Sequence, residues 1–241
     1  LHLSLRRQRQ MCIRDRPGMD AWEAGQRMRE TTPILRKLWQ GDYAHEGEFF
    51  QFPSTTSAPK PVQENGPPIW IAARDPSSHE FAVANDFNVQ VTPLWQGMDE
   101  ITSLMGRFNS AKANHPKKKP KIMLLHHAYV GKDTSDVDQA IQELTKFYCY
   151  FGAWFQNKRP VSHGQIQQLT DQDIDENKMI SAKNLARDLT VGTASEVIDR
   201  LKLYEDMGYD EFAFWIDSGM SGERKKESLA RFVDEVMPAF Q

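Results

Sequence analysis

Residues 193–216 read TASEVIDRLKLYEDMGYDEFAFWI, and this stretch decides the fold class. Thr193 and Glu196 have the spacing of a capping box. Val197, Ile198, Leu201 and Tyr204 fall on one helical face, and Gly208 supplies the left-handed stop. Residues 212–216 then read as a buried strand, and a final helix follows with the stripe Leu229, Phe232, Val233, Val236 and Met237, ended by Pro238. A helix feeding a buried strand that feeds a helix is the repeating unit of a parallel sheet.

Working outward, residues 69–73, 89–94 and 122–130 are aliphatic runs bounded by Pro, Gly or Asp. Each precedes a helical pattern. Asp75-Pro76 opens the first, Ile101, Leu104, Met105 and Phe108 stripe the second, and Val137, Ile141, Leu144 and Phe147 stripe the third. A further helix ends at Leu38-Trp39 and Gly41, and a Gly- and Pro-punctuated connection over residues 43–68 carries Phe49, Phe50 and Phe52. Four strand–helix units with an insertion before the first predict the C-terminal half of a (β/α)8 TIM barrel. Four strands alone leave two open edges, so the prediction carries with it a longer protein. A doubly wound open sheet is the structural alternative.

The 241 residues, 39% hydrophobic and 26% charged with a formal charge of -3, describe one soluble globular domain. The longest run without Asp, Glu, Lys or Arg is residues 87–98, too short for the roughly 20 residues of a bilayer span, so no membrane segment is expected. Two cysteines, Cys12 and Cys149, build neither a disulfide framework nor a four-cysteine zinc site, which points to the cytoplasm. The mild negative charge offers no footprint for nucleic acid, and the basic residues 117–121 read as a solvated loop.

Residues 1–16 hold Arg6, Arg7, Arg9, Arg14 and Arg16 against Asp15. They have neither the apolar core nor the cleavage site of a targeting peptide. Met11-Cys12-Ile13-Arg14-Asp15-Arg16 corresponds to a translated transposase-adapter sequence. Residues 1–16 are therefore expected to be non-native, and residues 17–241 to be the C-terminal part of a barrel domain.

Leu38-Trp39, then Tyr43-Ala44-His45-Glu46-Gly47-Glu48-Phe49-Phe50, Pro59-Lys60-Pro61-Val62-Gln63 and Pro67-Pro68-Ile69-Trp70-Ile71-Ala72-Ala73 together resemble the luciferase-like flavin-dependent monooxygenases. The tail agrees through Val191-Gly192-Thr193, Gly208-Tyr209-Asp210 and Glu235-Val236-Met237-Pro238. The resemblance implies a barrel that binds reduced FMN at the C-terminal ends of its strands. It implies an enzyme that uses O2 to oxygenate a small organic substrate, with reduced flavin supplied by a separate reductase. A deazaflavin-dependent oxidoreductase of the same fold, or a non-catalytic flavin-binding relative, stands as the alternative. Catalytic residues are expected on strands outside this chain, so this chain alone is expected not to turn over.

Within that frame, Arg74, Asp75, Ser77 and Ser78 lie at a helix N-terminus where a phosphate would be held, the turn that carries phosphate contacts in the family. Asp75 as an N-cap with Pro76 at the first helical position explains the same residues without a ligand. His126 and His127 alternate on a strand, so they point to opposite faces and cannot share a metal; no metal is expected. At most one of them faces the barrel interior as a substrate-pocket group, with a hydrogen-bonded structural histidine the more frequent role. Trp95 and Trp215, the latter with Asp217 and Ser218 beyond it, are placed at the barrel mouth as pocket walls, with core packing favoured for Trp215. His45 lacks zinc-ligand spacing and reads as loop packing. Six aromatics within residues 147–155 fit a lid, a homodimer contact or a buried helix equally.

Overall fold

The computed structural model describes residues 21–156, 159–177, 179–216 and 219–240. The adapter-like residues 1–16, and Asp217 and Ser218, lie outside the described residues. The chain divides into two compact units, Leu1–Ile69 with Ser162–Gln165, and Trp70–Val161 with Ile166–Gln241.

In the first unit a helix, α1 (Ala21–Gln40), precedes the antiparallel pair β1 (Tyr43–Glu46) and β2 (Gln51–Thr55). Glu30 of α1 fastens the hairpin. Its carboxylate accepts the Phe49 and Phe50 N–H groups, each at 3.0 Å, and lies 2.9 Å from His45 Nε2. A Cβ on Gly47 would stand 2.0 Å from Glu30 Oε1, so any side chain there would push the Glu30 carboxylate aside. His45 also meets the Tyr43 hydroxyl through Nδ1 at 3.2 Å. Its work is packing.

The second unit is a parallel sheet with helices. Strand β3 (Trp70–Ala72) leads into α2 (Pro76–Ala84), β4 (Asn88–Val91) into α3 (Met98–Asn114), and β5 (Ile122–Val130) into α4 (Thr134–Gln156). The short strands β6 (Val161–Ser162) and β7 (Gln165–Ile166), whose Ser162 and Gln165 are counted with the first unit, and the helices α5 (Asp171–Asp175) and α6 (Ala182–Asp188) follow. Then come β8 (Thr190–Gly192), α7 (Ala194–Asp206), β9 (Glu211–Trp215) and α8 (Gly222–Arg231). Strands β3, β4 and β5 run side by side in parallel. The long β5 then divides its partners, with Met123–His127 against β9 and Ala128–Val130 against β8. Among the described residues β3 has β4 as its one neighbour, so the sheet is open at that edge.

Three details depart from the sequence reading. A fifth strand, β8, joins the sheet; three residues are too few for periodicity to announce, although all three are buried. The expected strand 89–94 stops at Val91, because Pro93 has no N–H to pair and Leu94 turns to a φ of 59°.

The terminal helix buries only part of the row expected, Phe232 and Val236, and adds Ser228. It passes from α-helix into a π-turn over Phe232–Val236, with Ser228 and Val236 buried and Phe232 packed on Phe214. Leu229, Val233 and Met237 face outward at 44%, 48% and 41% exposure. The reason is polar: Ser228 Oγ accepts the Val130 N–H at 2.8 Å and Arg231 Nε donates to the Val130 carbonyl at 2.8 Å. Together they satisfy the backbone N–H and carbonyl of Val130 at the end of β5.

The Thr193–Glu196 box forms as read, Glu196 accepting both the N–H and the hydroxyl of Thr193 at 2.8 Å. Gly208 takes a φ of 98° after α7. The core lies where α4 and α6 pack on β5 and β8, around Tyr129, Leu144, Tyr148, Leu185 and Leu189. No described helix is long and apolar enough to cross a membrane.

Candidate functional site

In parallel strand–helix folds, loops after the strand C-termini converge and carry the chemistry. At the end of β3 the chain turns through Arg74 and Asp75 into α2. Asp75 caps the helix, accepting the Ser78 N–H at 3.0 Å and the Ser77 and Ser78 hydroxyls at 2.6 Å each. Those two hydroxyls hold its carboxyl far below the usual carboxylate range. The donors an anion would use at this N-terminus are thus already holding one, the protein's own. They suit a phosphate in kind, and a phosphate would enter by displacing the Asp75 side chain. Arg74 leans away from them, donating to Gln96 and lying 3.6 Å from Glu100.

The two histidines of β5 enter separate surroundings. His126 is wholly buried, with Nδ1 3.1 Å from the Thr190 hydroxyl, which in turn lies 3.2 Å from the Tyr204 hydroxyl. Burial pushes its pKa down to about 3, so the ring is neutral. His127, equally buried, meets the Tyr148 hydroxyl through Nδ1 at 2.5 Å. It stacks on Trp215, the parallel-register partner across β9, with ring centroids 3.9 Å apart and planes at 16°.

Around His127 the aromatic residues of three elements meet. Tyr148 lies edge-on to His127, and Trp95, from the turn after β4, lies edge-on to Tyr148 at 6.0 Å. Phe147 and Phe151 of α4 extend the group, Phe151 presenting an edge toward Trp215 at 6.4 Å. The structure therefore gathers Trp95, His127 and Trp215 on one side and leaves His126 with Thr190 and Tyr204. Sequence reasoning missed Tyr148 as the common partner. Its one signal was its place four residues after Leu144 on the buried face of α4.

A separate groove of about 730 Å³ is lined by Gly97, Asp99, Arg187, Asp188, Glu196 and Arg200 among others. Arg187 grips Asp188 with two bonds of 2.7 Å. A Cβ on Gly97 would stand 2.3 Å from the Asp188 carboxylate, so the start of α3 needs a glycine to admit it. Among the described residues, no three His, Cys, Asp or Glu side chains gather into a group that could hold a metal ion.

The family model for luciferase-like monooxygenases matches residues 2–211. The oxygenase component of the flavin-dependent trigonelline monooxygenase of Acinetobacter baylyi is 56% identical over 225 residues, covering 93% of this chain and 62% of that protein. A monooxygenase from Streptomyces bottropensis superposes with a TM-score of 0.67 at 19% identity, over 92% of this chain and 64% of that one. The oxygenating constituent of 3,6-diketocamphane monooxygenase from Pseudomonas putida, solved in complex with FMN, gives a TM-score of 0.60 at 14% identity, over 88% and 62%. These two likenesses show the fold: the sheet and its helices are part of a luciferase-like α/β barrel. The chain spans a little under two thirds of the length of these relatives.

Proposed function

The chain belongs to the luciferase-like monooxygenase family, and from that premise we propose that the whole protein is the oxygenase component of a flavin-dependent monooxygenase. It takes reduced FMN from a separate reductase and uses O2 to oxygenate a small organic substrate, trigonelline or a near analogue. The observation that carries this reading is the 56% identity to a trigonelline monooxygenase oxygenase component along 93% of the chain. A cytoplasmic location and a homodimer go with the same reading.

When bound, reduced FMN supplies the electrons that activate O2. The protein's own residues bind, orient and shield. Ser77, Ser78 and the first N–H groups of α2 hold the phosphate once Asp75 swings out, and Arg74 adds charge by leaving Gln96. Trp95, Tyr148 and Trp215, with Phe147 and Phe151, form an apolar wall that excludes water from the reacting face. Tyr148 fixes the orientation of the His127 ring, and His127 in turn fixes Trp215.

The test is oxygen-isotope incorporation with intact protein, FMN, NADH, a flavin reductase and trigonelline. One atom of ¹⁸O from labelled O2 should appear in the product. Reduction of a substrate by a reduced deazaflavin, without incorporation, would instead establish the oxidoreductase alternative. Flavin binding without either reaction would establish a non-catalytic relative.

A further inference from the structure

Trp215 is the last residue of β9, partly exposed at the strand end, with its indole backed by the imidazole of His127 at 3.9 Å. The backing ring is itself fixed, buried and bonded to the Tyr148 hydroxyl. Phe151 stands edge-on to the same indole, at 78°. The indole is thus held in one orientation by two aromatic neighbours, His127 and Phe151.

Four described carboxylates have partners of their own. Asp75 takes Ser77 and Ser78, Asp136 takes Arg224 at 2.7 Å, Asp188 takes Arg187, and Glu196 takes Thr193. For a planar ring with a permanent positive charge, which cannot shed its charge to escape desolvation, an indole face offers both stacking area and quadrupole attraction.

We propose that Trp215, backed by His127, is the specificity-determining surface of this protein for a planar aromatic cation of the N-alkylpyridinium class. The assignment rests on the functional reading above and adds to it the residue that discriminates charge. Phe151 stands beside the same indole, and Trp215 recognises the positive ring.

The experiment compares two probes of one shape on the intact protein, by calorimetric binding without turnover. Trigonelline carries the cationic nitrogen, and 3-methylbenzoate has carbon in its place. Wild-type protein should favour trigonelline. Trp215→Leu should weaken trigonelline about ten-fold while shifting 3-methylbenzoate less than about two-fold. Because Trp215→Leu also removes packing, mono-, di- and trifluorinated tryptophans placed at position 215 give the second arm. They should lower trigonelline affinity stepwise and leave 3-methylbenzoate level. Equal losses for both probes, or no response to fluorination, would overturn the proposal. Failure of the wild type to bind trigonelline would overturn it too, while ¹⁸O incorporation into another substrate would leave the monooxygenase reading standing.

Discussion

Asp136 at the start of α4 and Arg224 at the start of α8 meet at 2.7 Å, with 9% and 19% of their side chains exposed. The same carboxylate accepts the Tyr129 hydroxyl at 3.0 Å and the Lys132 N–H at 3.1 Å, and Arg224 reaches on to Glu143 at 2.6 Å. Asp136 thereby ties the last helix to the end of β5. Burial alone would raise its pKa, yet the Arg224, Lys132 and Tyr129 hydrogen bonds outweigh burial and lower it.

Removing Asp136 leaves Arg224 with the Glu143 carboxylate and takes the acceptor from the Tyr129 hydroxyl and the Lys132 N–H. Asp136→Ala is expected to cost about 3 kcal/mol, and the double variant D136A/R224M to recover part of that loss. Urea unfolding of the intact protein measures both. A double variant no more stable than D136A would show that the charges do not act as a pair.

His126 gives the protein an acid limb. Its folded pKa is pushed down to about 3 by burial, whereas an unfolded histidine titrates near ~6.5. The unfolded chain therefore binds the proton first, and stability falls as pH drops below ~6.5, by up to about 1.4 kcal/mol per pH unit. Unfolding curves of His126→Gln should be flatter between pH 6.5 and 4. Identical slopes for wild type and variant would refute the assignment.

Asp75 stabilises α2 and competes with any anion at its N-terminus. Asp75→Ala should cost about 1 kcal/mol of stability through the lost cap yet tighten the binding of inorganic phosphate or FMN by freeing Ser77, Ser78 and the Ser78 N–H. Thermal unfolding and a phosphate titration read the two effects separately. If both quantities fall, Asp75 does not occupy the anion position.

Gly47→Ala tests the hairpin clasp. The added methyl would strike Glu30 Oε1 and stand 2.3 Å from His45 Nε2, so Glu30 must release the Phe49 and Phe50 N–H groups. A loss of about 2 kcal/mol or more is expected, and Glu30→Gln should lose less because it keeps an acceptor. Hydrogen exchange at the Phe49 and Phe50 amides checks the mechanism directly, since their protection should vanish in Gly47→Ala.

Much of the local structure was legible because it is written in short-range chemistry. The Thr193–Glu196 box, the Gly208 stop and the Asp75-Pro76 helix start are settled within a few residues, and each forms as the spacing requires. The alternation of β5 likewise separates His126 from His127. Where long-range contacts intervene, local reading fell short. Ser228 is polar, so no apolar pattern marks it as buried; the unpaired Val130 N–H draws it inward and turns Leu229, Val233 and Met237 outward. Strand β8 is held by its pairing with Ala128–Val130, a partnership that three residues of sequence cannot announce.

The candidate site divides in the same way. Sequence named Trp95 and Trp215 by their places at strand ends and His127 by its place on a strand. That His127 lies flat on Trp215, 88 positions later, while Tyr148 joins His127 to Trp95, depends on the parallel register of β5 with β9 and on the packing of α4. The amino-acid order alone determined the elements, their caps and the strand–helix alternation, because those follow from backbone dihedrals and neighbouring side chains. Only the tertiary structure decided which rings touch and which carboxylates are engaged, because register and helix docking are set by the whole apolar surface that the sheet must bury.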